Sequence, residues 1–220
     1  MLKTAMKYYD EGYSPFPAYS PKMLKNGQKP KWYDAQKEKL LSQNANSGNP
    51  LSEQEVILEL DIMVCKTPII NLSRYRNKRP TRENVRKWFE KWPDANIGLL
   101  TGKVHGLYVV DIVEQDFIDF IKPAGSFLTT ISKTKNGRHF YFTCTEGYLE
   151  GNPVIKPTQT IYGNGKYVVV PPSVHGTGQK YKWVTNKYLI GGPIAGCDPW
   201  MFNFYNSYIF NKYGLSSKTA

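Results

Sequence analysis

Apolar residues at helical spacing open the chain: Leu2, Ala5, Met6 and Tyr9 predict a helix over residues 2–11, with Gly12 as its stop. Tyr13 to Tyr19 carries prolines at alternate positions and reads as a short extended segment. Residues 22–31 are basic and turn-rich, closing on Lys29-Pro30-Lys31-Trp32, and Gln43 to Pro50 is a polar loop. Ser52 followed three residues later by Glu55 is a capping box, which predicts a helix running to about Met63. A second helix opens at Thr81 as N-cap, buries Val85, Trp88 and Phe89, and ends at Trp92-Pro93.

Beyond that point the period changes. Gly98 and the stretch Gly102 to Gly106 read as turns leading into an apolar strand over 107–112, at whose end sits Asp111. Glu114 to Ile121 is acidic and amphipathic, and a turn follows at Pro123 to Gly125. Residues 127–132 and 139–143 predict two strands joined through an Asn136-Gly137 hairpin. Three more short strands are expected over 159–162, 167–170 and 180–184, with a hairpin turn at Gly176-Thr177-Gly178. The tail over 198–210 reads as an aromatic-rich helix, and residues 216–220 as a frayed end. Helices first and strands after, without an internal repeat, point to an α+β fold.

Charge changes this picture most. In 220 residues, 29 Lys and Arg face 18 Asp and Glu, a net charge of +11 that suits an anionic partner, nucleic acid before a membrane surface. No apolar run approaches the roughly 20 residues that cross a bilayer, and the first ten residues lack a signal-peptide core, so the expected location is cytoplasmic. Cys65, Cys144 and Cys197 form no Cys-x-x-Cys pair and read as buried reduced thiols, against a disulfide framework or a structural zinc site.

Three segments carry candidate chemistry: Asp111 at a strand end, Gly137-Arg138-His139 on a hairpin, and Ser173-x-His175 after Pro171-Pro172. Glycine turns let backbone amides approach phosphate oxygens, while Arg, Lys and His supply charge and donors. Lys133, Lys135, Arg138, His139, Ser173 and His175 are therefore candidate phosphate contacts. Lys29, Arg74, Arg76, Lys166 and Tyr162 are candidate nucleic-acid contacts, the tyrosine by stacking. Alternation along a strand sends Arg138 and His139 to opposite faces, leaving His139 either a cleft residue or a satisfied core histidine. A Ser-His-Asp hydrolase is disfavoured, because Ser173 lies on no strained strand-helix elbow.

These segments resemble a known family. Trp88-Phe89, Trp92-Pro93, Ala95-Asn96-Ile97-Gly98, Thr101-Gly102 and Gly106-Leu107 through Val109-Val110-Asp111 are similar to the prim-pol branch of the archaeo-eukaryotic primases. So are Gly137 through Phe142, and Gly165 through His175 with Gly178, Tyr181 and Trp183. The opening from Gly12 to Trp32 fits as well, and the resemblance covers about residues 5–184. It implies an RRM-like sheet flanked by helices, with a small α/β subdomain beside it. The prim-pol-like domain would span 1–190, with a C-terminal helix and tail over 191–220 leading toward a helicase region.

The resemblance further implies primer synthesis from NTPs or dNTPs on DNA, with Mg²⁺ or Mn²⁺ held by carboxylates. It also implies a setting in replication proteins of plasmids, phages and mobile elements, beside a helicase or another replication partner. Asp111, Glu114 and His139 would be catalytic, Asp111 and Glu114 holding metal, and Arg138 with His139 would hold the triphosphate.

The departures are specific. The family pattern places a second carboxylate two residues after the first, but here Glu114 comes three after Asp111, and only a bulge would bring it to the same face. Where the third motif has an aspartate, this chain has Thr160. The sequence therefore favours a DNA-binding replication domain with nucleotidyl transfer weakened or lost. Against it stand an active primase/polymerase that uses Glu114 and a module that only docks a replication partner.

Overall fold

The computed structural model describes residues 1–113, 129–135, 137–143, 154–156, 159–184, 189–190 and 194–196. Glu114, the amphipathic segment and turn expected after it, Cys144, Cys197 and the C-terminal aromatic segment lie outside the described residues.

Helix α1 (Leu2–Asp10) buries Ala5 and Tyr8, and α5 (Arg82–Lys91) packs beside it through Val85 and Phe89. Thr81 caps α5 in a box with Asn84. These two helices cover a three-stranded antiparallel sheet in the order β1 (Pro15–Ala18), β2 (Asn96–Leu100), β8 (Tyr167–Val170). Pro15 and Pro17 are tolerated because β1 is the edge strand, where a missing N–H breaks no ladder. The free edge is closed in turn by Ile69, whose N–H donates to the Pro17 carbonyl at 2.9 Å.

Gly98 is not a turn, as its sequence setting suggests, but the centre of β2, paired with Phe16. A β-carbon there would overlap the Phe16 ring. The glycine is thus required by close approach of a ring, not by backbone reversal.

Two more helices stand to one side. α4 (Glu53–Val64) begins with the expected Ser52–Glu55 capping box and buries Val56, Leu60 and Val64. α3 (Tyr33–Ala45) is not predicted by the periodicity, since only Tyr33 is buried along it, and it consumes the first residues of the expected polar loop. It is held tertiarily: Tyr33 donates to Asp61 of α4 at 2.6 Å, and Lys37 pairs with Glu53 at 3.0 Å. The short α2 (Pro21–Lys25) likewise replaces part of a stretch expected to be turns, with Ser20 as N-cap and Pro21 at the first position.

The larger sheet runs β6 (Val154–Lys156), β7 (Gln159–Tyr162), β3 (Tyr108–Ile112), β5 (Arg138–Thr143), β4 (Ile131–Lys133), β9 (Lys182–Trp183), with β10 (Ala195–Gly196) parallel to β5. All its other pairings are antiparallel. Val109 and Tyr141 of this sheet share one core with Ile97, Leu99, Val168 and Val170 of the smaller sheet and with α1 and α5. The α+β architecture expected from the sequence is the one observed. No helix among the described residues is long and apolar enough to cross a membrane.

Candidate functional site

β3 lies in the middle of the larger sheet, and its register fixes the site. Asp111 pairs with His139 of β5 on one side and with Thr160 of β7 on the other. Because alternate strand residues share a face, Asp111 stands with Val109, His139, Tyr141, Thr160 and Tyr162. Val109 and Tyr141 are sealed in the core, whereas one row further along the same face opens into a cleft of about 610 Å³. That volume suits a nucleotide-sized ligand.

His139 is a cleft residue, although its ring is also well packed. Its Nε2 lies 3.6 Å from Asp111 Oδ2, and Tyr141, Tyr162 and Tyr181 surround the ring with centroids 6.1, 6.4 and 6.3 Å away. The Tyr141 hydroxyl meets Ser132 Oγ at 2.8 Å and His139 Nδ1 at 3.5 Å. Burial first, and then the Asp111 charge, pushes the Tyr162 phenol up to about 12 and the Tyr181 phenol higher still. Both stay neutral donors at physiological pH. Asp111 Oδ1 is buried without a hydrogen-bond partner among the described residues. A buried carboxylate oxygen left unsatisfied is costly in a folded protein, and here it sits on the wall of a cleft.

The facing wall comes from Tyr167, Val168 and Val169 of β8, from His175, and from Ile62 and Lys66 at the end of α4. Thr134, Lys135 and Lys166 complete the lining. His175 Nδ1 accepts from the Thr177 N–H at 3.3 Å and lies 2.9 Å from Thr177 Oγ1, so Nε2 is left as the nitrogen that carries hydrogen. Burial, with repulsion from Lys66 and Lys135, depresses this imidazole to about 4.

Of the residues singled out from sequence, Asp111, Lys135, His139, Tyr162, Lys166 and His175 come together in this cleft. Others do not. Ser173 is buried, its Oγ accepting from the Ile97 N–H at 2.8 Å and donating to the Ile97 carbonyl at 3.2 Å, so it ties β2 to the turn after β8 and offers nothing to a phosphate. Arg138 and Lys133 face each other across the hairpin on the side of the sheet opposite Asp111 and His139, which separates Arg138 from the histidine it was expected to assist. Lys29 lies over the Tyr33 ring at 4.3 Å and Arg74 over Tyr75 at 5.0 Å, both away from the cleft lining. Arg76 lies beside Gly165, in the turn that carries Lys166. Lys66, which nothing in the sequence marks, and Tyr181, known there only as a residue of the resemblance, join the lining as well. A lone lysine past a helix end has no signature in sequence.

Two divalent ions need several anionic oxygens. Among the described residues no group of three His, Cys, Asp or Glu comes together, and Thr160 occupies the position across from Asp111. The described donor set therefore does not fit a two-ion site.

Over residues 5–200 the chain matches the family described as bifunctional DNA primase/polymerase, N-terminal (Prim-Pol). No curated protein matches the chain at a significant level.

Proposed function

Because the chain belongs to the Prim-Pol family of bifunctional DNA primase/polymerase N-terminal domains, we propose that it is a replication domain that binds DNA and nucleotides in its lysine-lined cleft, with nucleotidyl transfer weakened or lost. The observation that carries this reading is the register of β3 with β7, which sets Thr160 rather than a carboxylate opposite Asp111. Domains of this type typically use divalent metals, and a pair of ions acting on the attacking and leaving oxygens needs several anionic protein ligands to hold it. The basic wall is retained: Lys66, Lys135 and Lys166 all line the cleft. Single-stranded nucleic acid would run from the cleft past Lys166 toward Arg76 and Arg74, stacking a base on Tyr162. Lys29, Lys133 and Arg138 lie outside this path. Replication in a plasmid, phage or mobile element, beside a helicase, is the setting that suits such a domain.

A second reading has its own observation. Asp111 Oδ1 is buried with no hydrogen-bond partner among the described residues, which supports an active primase/polymerase that holds a cation with Asp111 and completes the site with Glu114. Primer synthesis with Mg²⁺ or Mn²⁺ on a single-stranded template separates the two. The binding reading expects affinity for DNA that falls steeply with salt and synthesis no greater than that of Asp111→Ala. Synthesis well above background that Asp111→Ala abolishes would establish the active enzyme instead.

A further inference from the structure

Lys66 reaches the cleft from outside both sheets, and the fold goes to some length to hold it there. It follows Cys65, the C-cap of α4. Asn96 donates through Nδ2 to the Cys65 carbonyl at 3.2 Å and to the Val174 carbonyl at 2.8 Å, while its Oδ1 accepts from the Val174 N–H at 2.9 Å. One buried side chain thus clamps the end of α4 to the residue before His175. The same joint is tightened at Gly176, where a β-carbon would lie 2.5 Å from Ile62 Cα of α4. The backbones carrying Lys66 and His175 are therefore fixed relative to each other from two sides.

What they fix is electrostatically unfavourable in an empty site. Lys66 and Lys135 both repel positive charge on His175, and no carboxylate pairs with Lys66, Lys135 or Lys166 among the described residues. Like charges brought together by rigid packing, next to a neutral imidazole whose N–H is not taken by Thr177, form a site shaped for an anion with several acceptor oxygens.

We propose that Lys66, Lys135 and the Nε2–H of His175 form a phosphate-binding corner of the cleft, in which α4 supplies a cation that neither sheet provides. This rests on the reading of the cleft as a nucleotide- and DNA-binding site, and it names Lys66 as a binding residue there. The phosphate comes either from the terminal groups of a nucleoside triphosphate or from the backbone of a nucleic acid.

The test titrates the full chain, at one fixed ionic strength, with inorganic tripolyphosphate and separately with a single-stranded oligonucleotide. Lys66→Ala, Lys66→Arg and Lys25→Ala are compared with the unmodified protein. Lys66 is exposed, so its replacement leaves the fold intact, and Lys25 lines a different hollow. Loss of one charge-assisted contact at an exposed side chain is expected to weaken binding about tenfold in Lys66→Ala, with Lys66→Arg near the unmodified value and Lys25→Ala unchanged. A loss confined to tripolyphosphate supports the corner with a triphosphate as its source. A loss confined to the oligonucleotide supports it with a backbone phosphate. If Lys66→Ala binds both probes as tightly as the unmodified chain, or weakens no more than Lys25→Ala, the corner is overturned while the cleft keeps its proposed function. If the unmodified chain binds neither probe, both fall.

Discussion

The two sheets of this protein are made of similar residues and treat their faces in opposite ways. In the three-stranded sheet every residue of β1 and β2 is buried, and Gly98 gives up its side chain so that the Phe16 ring can fill the space. In the larger sheet one face is closed at Val109 and Tyr141, and one row further it turns Asp111 and His139 toward a cleft that Tyr162, beside Val109, also lines. The first arrangement gains stability from close packing. The second leaves, among the described residues, a carboxylate oxygen unsatisfied and cations unpaired, which is the pattern of a surface kept for a ligand at some cost to the fold. The contrast separates a scaffold from a site within one shared core.

The largest effect should come from breaking the scaffold. Gly98→Ala forces a methyl group into the Phe16 ring and should cost about 3 kcal/mol in urea unfolding. A cost below about 1 kcal/mol would mean that β1 shifts easily and that the small sheet is not the rigid partner.

Acid should act on the site side. The His175 imidazole is depressed to about 4 from an ordinary 6.5, so the unfolded chain binds the proton first. Stability conferred by the neutral imidazole is complete above about pH 6.5 and is lost as pH falls toward 4. With the lysine repulsion softened by solvent, the loss is roughly 2 kcal/mol. His175→Gln should flatten the fall between pH 7 and pH 4.5, while the contribution of His105, also depressed by burial, remains in both proteins. Equal slopes would remove His175 from the charged corner.

Thr160→Asp should turn the site toward the metal-binding pattern. It sets a second carboxylate across the strand from Asp111 and should raise Mn²⁺ affinity at least tenfold, roughly 1.4 kcal/mol, read by the loss of free-ion electron paramagnetic resonance signal. No gain would show that the neutral side chain at this position is not what limits cation binding.

The smallest effect carries the sharpest sign. Asp111→Asn replaces a carboxylate whose buried Oδ1 has no hydrogen-bond partner among the described residues with a neutral amide and should stabilise the fold by about 1 kcal/mol in denaturant titration at pH 8. Destabilisation instead would mean that its approach to His139 holds the larger sheet together.

Much of the frame was legible along the chain. The capping box at Ser52, the N-cap at Thr81 and the apolar strand after Gly106 are local signals, set by hydrogen bonds and hydrophobic runs spanning a few residues, and each produced the element expected of it. The motif residues Asp111, His139 and His175 also lie together, since register across a sheet follows from which side chains must be buried. Where local signals were weak, prediction failed for identifiable reasons. α3 has almost no apolar stripe and exists because α4 pairs with it, and Gly98 looked like a turn because its reason, a ring from a strand some eighty residues earlier, is not written nearby.

The sequence by itself determined the fold class, the positive charge and the placing of one carboxylate at a strand end, because composition, period and capping act over short distances. Only the tertiary structure decided that Ser173 serves the backbone of β2, that His139 rather than Arg138 faces the cleft, and that Lys66 joins its lining. Those outcomes depend on which face of a strand meets the core and which distant backbone a buried Asn96 grips, and such choices are made only when the whole chain has packed.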